Sequence, residues 1–241
     1  MPRLPVLLPA DADAPFPPLA VALPSGLLAI GGDLSVARLR RAYAEGIFPW
    51  FGEEDPILWW SPDPRCVFAT ATTRPRRRFA RRLRSLPWTL SCDRAFAAVL
   101  AGCAAPRPGQ DGTWITAAMR TAYQALHSAG YAHSFEVWEH GTLIGGLYGV
   151  VSGGLFSGES MFSLRSGAST MALLGACHAL AQWRMPLLDA QVANTHTLAL
   201  GAQQWSRTRF IAALHALRAV QPPPDWDRAL PLRSAAQIAG V

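Results

Sequence analysis

Apolar positions follow two periods along the chain, and the switches between them mark out its elements. In residues 34–45, Leu34, Leu39, Ala42 and Tyr43 fall on one face of a helix that Gly46 stops. Three tryptophans then lie within eleven positions, Trp50, Trp59 and Trp60, beside Pro49 and Pro62. That mixture suits a rigid wall better than a regular element. Asp93 is placed to cap a helix ending at Cys103, and Thr116 one that runs to Ser128 before Gly130. Residues 133–139 and 142–150 alternate as two strands joined by a tight turn at His140-Gly141, and residues 155–160 make a third. A long apolar helix over 168–183 and a buried strand over 186–192 follow. A turn near His196 and a Ser206-capped helix to Ala219 complete the pattern, which Pro222, Pro223 and Pro224 break.

These elements predict an α/β (α+β) molecule with a small N-terminal domain over residues 1–64 and a second domain over 65–241. Pro15, Pro17 and Pro18 make an extended arm of the first 30 residues. In the second domain, a meander crossed by a long helix and followed by one more strand is the layout of an N-acetyltransferase-like (GNAT-like) mixed sheet flanked by helices. Substrates of such sheets bind where neighbouring strands part. Fold alone does not name a function.

Composition narrows the partners. A net charge of +6 and a pI near 9.8 favour polyanions. All 22 basic side chains are arginine, which removes Schiff-base and P-loop lysine chemistry, although a GC-rich genome would also produce the bias. Cys66, Cys92, Cys103 and Cys177 have no C-x-x-C pairing and no metal-type spacing with histidine, so they read as buried thiols in a reducing, cytoplasmic setting. Prolines interrupt residues 4–18 and no apolar run approaches a membrane span, so neither secretion nor membrane insertion is expected. No metal or dissociable cofactor is expected either.

Chemistry concentrates in a few places. Residues 74–84 hold seven arginines and no acid, either a solvated helix face or a surface for nucleic-acid phosphates. Asp189 and Gln191 lie two apart on a strand, so their side chains are expected on one face, where they either meet one ligand or fix the strand end. Glu159 stands alone in a strand between Gly158 and Ser160, as a ligand group or half of a surface ion pair.

Three segments together resemble the leucyl/phenylalanyl-tRNA–protein transferase family. The first is Phe16-Pro17-Pro18 with Gly26-Leu27-Leu28-Ala29-Ile30-Gly31-Gly32-Asp33-Leu34 and Tyr43-Ala44-Glu45-Gly46-Ile47-Phe48-Pro49-Trp50. The second is Gly145-Gly146-Leu147-Tyr148-Gly149 with Gly158-Glu159-Ser160-Met161-Phe162-Ser163, and the third Leu188-Asp189-Ala190-Gln191-Val192 with Leu200-Gly201-Ala202. The resemblance implies an enzyme that moves leucine or phenylalanine, and methionine less readily, from aminoacyl-tRNA to acceptor proteins beginning with arginine or lysine, marking them for degradation by the N-end rule.

The same resemblance implies roles for particular residues. Asp189 and Gln191 would relay a proton or orient the attacking amine, and Glu159 would face the cationic first residue of the acceptor. Leu147, Phe156 and Met161 would line the aminoacyl pocket, although core packing accounts for them as well. Trp50, Trp114 and Tyr123 would surround the terminal adenosine, where a stacked base contributes roughly 1–3 kcal/mol. Arg76, Arg77, Arg78, Arg81, Arg82 and Arg84 would contact acceptor-stem phosphates. Two other classes fit parts of the sequence: an acetyl-CoA-dependent acetyltransferase, whose glycine-spaced pyrophosphate loop is missing from Arg165-Ser166-Gly167-Ala168-Ser169, and a non-catalytic RNA-binding protein, which leaves Glu159, Asp189 and Gln191 idle.

Overall fold

Two sheets carry the chain in the computed structural model, which describes residues 4–11, 13–106 and 113–240. The N-terminal part comprises β1 (Val6–Leu8), β2 (Leu27–Gly31), α1 (Val36–Ala44), β3 (Phe48–Pro49) and β4 (Leu58–Trp60), and its strands pair in the order β1-β2-β4-β3. The tryptophan-rich stretch is therefore regular strand, unlike the irregular wall expected. Trp59 goes fully inside and satisfies its indole N–H on the Gly31 carbonyl at 2.8 Å, which is how so large a ring fits a short strand. Ser35 caps α1 by accepting from the Arg38 backbone N–H.

The larger sheet contains β5 (Arg65–Ala69), β6 (Trp88–Cys92), β7 (Ala132–Glu139), β8 (Thr142–Ser152), β9 (Leu155–Ser163), β10 (Leu187–Gln191), β11 (Gln203–Trp205) and β12 (Arg233–Ser234). Their order is β11-β5-β10-β9-β8-β7-β6-β12. Around it lie α2 (Arg77–Leu83), α3 (Phe96–Ala104), α4 (Ala117–Ser128), α5 (Ala168–Gln182), α6 (Thr195–Ala199), α7 (Arg207–Ala216), α8 (Trp226–Ala229) and α9 (Ala235–Ala239). The expected meander is β7-β8-β9. His140 and Gly141 both take positive φ (49° and 79°), matching a two-residue hairpin turn. Next to the turn, Gly145 and Gly146 point to opposite faces of β8. A Cβ there would stand 2.6 Å from the Ala168 side chain on one side and 2.8 Å from Val99 on the other. Their bareness lets α5 and α3 close on the sheet from both sides.

Three expectations change. Asp93 caps no helix: it adopts φ 56° and accepts from the Ser134 N–H (2.8 Å), with His133 Nδ1 at 2.6 Å, while α3 starts later without a side-chain cap. The helix after Ser206 ends at Ala216, not Ala219. The proline run does not end the domain, because the chain returns to add β12 to the β6 edge and to bury Trp226.

What positions the site is the β9–β10 pair, the one parallel pairing of the larger sheet among the described residues. It holds from Leu187↔Leu155 to Asp189↔Ser157, and then the strands part. A bulge sits on each side of the gap. Residue 159 has no partner on β8, and residue 190 none on β5. Each extra residue turns the chain beyond it, so the next polar side chains aim into the gap rather than along the pleat.

Candidate active site

The parted strands open a cleft of about 370 Å³. Its floor is apolar, from Phe68, Leu147, Met161, Leu173 and Leu188, and Trp50 and Trp114 stand at its mouth. Glu159 and Gln191 supply the polar wall. A cavity of this size and lining suits one medium apolar side chain joined to a flat polar group.

Glu159 is held from two sides. Tyr123 Oη donates to its Oε2 at 2.8 Å, and Gln191 Nε2 to its Oε1 at 2.6 Å. Tyr43 Oη lies 2.7 Å from Tyr123 Oη, so with the Tyr123 proton committed to the carboxylate, Tyr43 donates in turn. Burial pushes both phenols well above their ordinary range, which keeps them protonated as donors. Burial likewise raises the Glu159 carboxyl to about 7 against the lowering effect of its donors, and the nearby Asp189 charge adds to the rise. The empty site thus holds this carboxyl near half ionisation at neutral pH.

Gln191 takes φ 58°, the left-handed region that a glutamine rarely occupies. Its backbone N–H donates to Asp189 Oδ1 at 2.8 Å, a contact that holds the unusual turn. With the amide nitrogen given to Glu159, the amide oxygen is the acceptor left for a substrate.

Asp189 sits behind the cleft, not in its lining. It is fully buried and bidentate with Arg65, Nε to Oδ1 at 2.8 Å and Nη2 to Oδ2 at 2.6 Å. Arg65 in turn donates to the Gly46 carbonyl and lies over the Phe48 and Phe210 rings. The expectation that Asp189 and Gln191 share a face fails because residue 190 bulges out between them. Asp189 therefore reaches Gln191 through the backbone, with its oxygens occupied, and acts as a positioning residue. Arg65 and Tyr43 went unmarked in the sequence reading. The signal for Arg65 was available: a charge heading the apolar run Cys66-Val67-Phe68 and another, Asp189, inside Leu187-Leu188 need each other if both strands are interior.

The other predicted residues separate. Leu147 and Met161 reach the cleft, as do Trp50 and Trp114. Phe156 does not line it: its ring packs at 5.8 Å from Phe135 and from Trp226 in the core, where β10 still covers β9. Tyr123 is completely buried under Glu159, so it has no face for a base and serves as a hydrogen-bond donor. Arg76, Arg77, Arg78, Arg81, Arg82 and Arg84 are all exposed on or beside α2, and none is paired with a carboxylate among the described residues.

An apolar slot that ends on an ionisable carboxylate and a held amide is the site of a group-transfer enzyme, built to align two substrates. Residues 67–215 match the family model described as leucyl/phenylalanyl-tRNA protein transferase, and residues 32–63 match that of its N-terminal domain. A leucyl/phenylalanyl-tRNA–protein transferase of Xanthomonas axonopodis pv. citri is 53% identical over 98% of this chain and 96% of its own length. One of Xylella fastidiosa is 55% identical over 88% and 89%. The chain belongs to the leucyl/phenylalanyl-tRNA–protein transferase family. Among solved structures, that of L-PGS from Bacillus licheniformis aligns with a TM-score of 0.39 at 11% identity, over 70% of this chain and 52% of that one, too slight a likeness to bear on the fold.

Proposed function

We propose that the chain transfers leucine or phenylalanine, and methionine less readily, from aminoacyl-tRNA to proteins whose first residue is arginine or lysine, marking them for N-end-rule degradation in the cytoplasm. Family membership supports the reaction. The observation that carries the residue-level reading is the apolar cleft ending on the Glu159–Gln191 pair. Four buried free thiols, Cys66, Cys92, Cys103 and Cys177, suit a reducing compartment, and no helix among the described residues is long and apolar enough to cross a membrane.

In this reading the aminoacyl side chain lies on Leu147, Met161, Leu173 and Leu188, and the terminal adenosine rests against Trp50 and Trp114. Glu159 anchors the acceptor's cationic first residue, and the Gln191 amide oxygen accepts a hydrogen bond from its α-amine. The amine attacks the ester carbonyl, the new C–N bond replaces the C–O bond, and the amine's proton ends on the departing ribose oxygen, with a ribose hydroxyl as a nearby carrier. The ester is already activated, so alignment, capable of roughly 7–11 kcal/mol, is the main contribution asked of the protein. The arginines of α2 take the acceptor stem by charge and shape. We place the domain boundary at residues 64 and 65, between the end of the smaller sheet at Trp60 and the start of the larger at Arg65. The parting of β9 and β10 supports an N-acetyltransferase-like assignment for the second domain.

Radiolabelled leucyl-tRNA and a peptide beginning with arginine test the proposal directly. Acid-stable labelled peptide is the expected product; label that stays hydrolysable, or moves only when acetyl-CoA replaces the tRNA as donor, rules it out.

A further inference from the structure

Beyond the mouth of the cleft lies a second hollow of about 480 Å³, and Trp50 and Trp114 line both. Its other walls include Trp60, Glu53 and Asp55. Trp50 is 47% exposed, an unusual display for so large an apolar ring. It lies 5.8 Å from Trp60, whose indole N–H is spent on the Trp50 carbonyl, so the two rings are fixed in place. Glu53, Glu54 and Asp55 are exposed, and none meets a cation among the described residues.

The charges sort the two ways out of the cleft. A tRNA is drawn to the seven exposed arginines of residues 74–84 and repelled by three carboxylates in a row. The chain that leaves over Trp50 and Trp114 toward Glu53 is therefore the acceptor polypeptide, and its first residue is already spent on Glu159. We propose that this hollow is a subsite for the acceptor's second and third residues, one that selects a basic side chain there, arginine above all, and rejects an acidic one. A guanidinium is flat enough to lie on an indole while its edge meets a carboxylate, which an ammonium does less well. The inference rests on the transferase reading given above.

The test uses the full chain, leucyl-tRNA and peptides that begin with arginine and differ only at the second residue: arginine, alanine or glutamate. The expected order of kcat/KM is arginine, alanine, glutamate, with about tenfold between the extremes at low salt, narrowing as salt rises. In the pair Glu53→Gln with Asp55→Asn, which keeps an acceptor for the Gly52 N–H at residue 55, the ratio falls toward one; in Glu53→Lys with Asp55→Lys the order reverses. Using the ratio within each variant removes any general change in tRNA affinity. Equal use of the three peptides by the unmodified protein, or a ratio that survives both variants, overturns the subsite while leaving the transferase reading intact. Transfer to none of the peptides overturns both.

Discussion

Single residues decide how this site handles charge. Glu159 combines a pKa raised to about 7 with two donors that hold its geometry. A cationic acceptor binds only the ionised form, so its affinity should rise with pH through that value. An N-acetylated arginyl peptide, which has no titrating amine, should inhibit about tenfold better at pH 8 than at pH 6; Glu159→Gln should weaken it and flatten the dependence, whereas an unchanged pH profile in the variant would remove Glu159 from acceptor binding. The linkage to stability has a definite direction. The folded carboxyl holds its proton between pH 4.5, its ordinary value, and about 7, so this group's stabilisation is complete below that window and is lost as pH rises through it. Thermal midpoints at pH 5 and pH 8 should converge in Glu159→Gln. Asp189 calls for a different experiment, since its truncation leaves Arg65 buried and unpaired at a cost of about 3–5 kcal/mol. Replacing both, Arg65→Met with Asp189→Leu, should restore much of the stability while kcat stays low and the KM for tRNA holds, because the Gln191 N–H has lost its acceptor. Recovery of kcat along with stability would make the pair merely structural.

Among the elements, α2 is arranged against its own stability. Arg76 stands at its N-cap without a side-chain cap, and Arg77 and Arg78 fill its first turn, where the helix dipole is already positive. Only Ala80, Leu83 and half-buried Phe79 hold it to the body. Such a helix keeps its charges for a partner. Replacing Arg76, Arg77 and Arg78 with alanine should raise the thermal midpoint modestly, raise the KM for aminoacyl-tRNA and lower its salt slope by about 0.7–0.9 per lost phosphate contact. A lowered midpoint, or loss of activity equally with an aminoacylated adenosine that lacks the stem, would mean that the run serves the fold. Elements like this one were legible in the sequence because their signals are local: the caps at Thr116 and Ser206, the His140-Gly141 turn and the apolar run of α5 all lie within a few residues of what they determine. The two bulges were not. An added residue at 159 or 190 leaves no mark in composition, and the period-two assumption silently put Asp189 and Gln191 on one face. The paired tryptophans misled for a related reason, since short strands β3 and β4 draw their regularity from partners remote in sequence.

Across the whole molecule the least legible feature is the return of the C-terminal segment. Nothing near Pro222, Pro223 and Pro224 announces that the next residues cross to the far edge of the sheet, because the reason lies in the rings waiting there. Trp226 is 2% exposed; it stacks on His133 at 3.8 Å, parallel to within 1°, and its ring also meets Phe135, Phe156 and Trp183. It lies outside residues 67–215 that match the family model, yet it closes the main core over α5 and β7. Trp226→Ala should therefore destabilise the protein by about 3–5 kcal/mol, the range for removing a large buried ring. Catalysis should suffer little at temperatures where the variant stays folded. The only link from Trp226 to the cleft runs through Phe156 to Leu188 across a strand pair, and a packed core passes on such a shift weakly when the strands' hydrogen bonds remain. Circular dichroism melting together with kcat and KM at 20 °C separates these effects. A variant that melts as predicted but keeps both constants within about twofold confirms that the segment seals the fold, whereas a fully folded variant with collapsed kcat would tie the far edge of the sheet to the opening between β9 and β10.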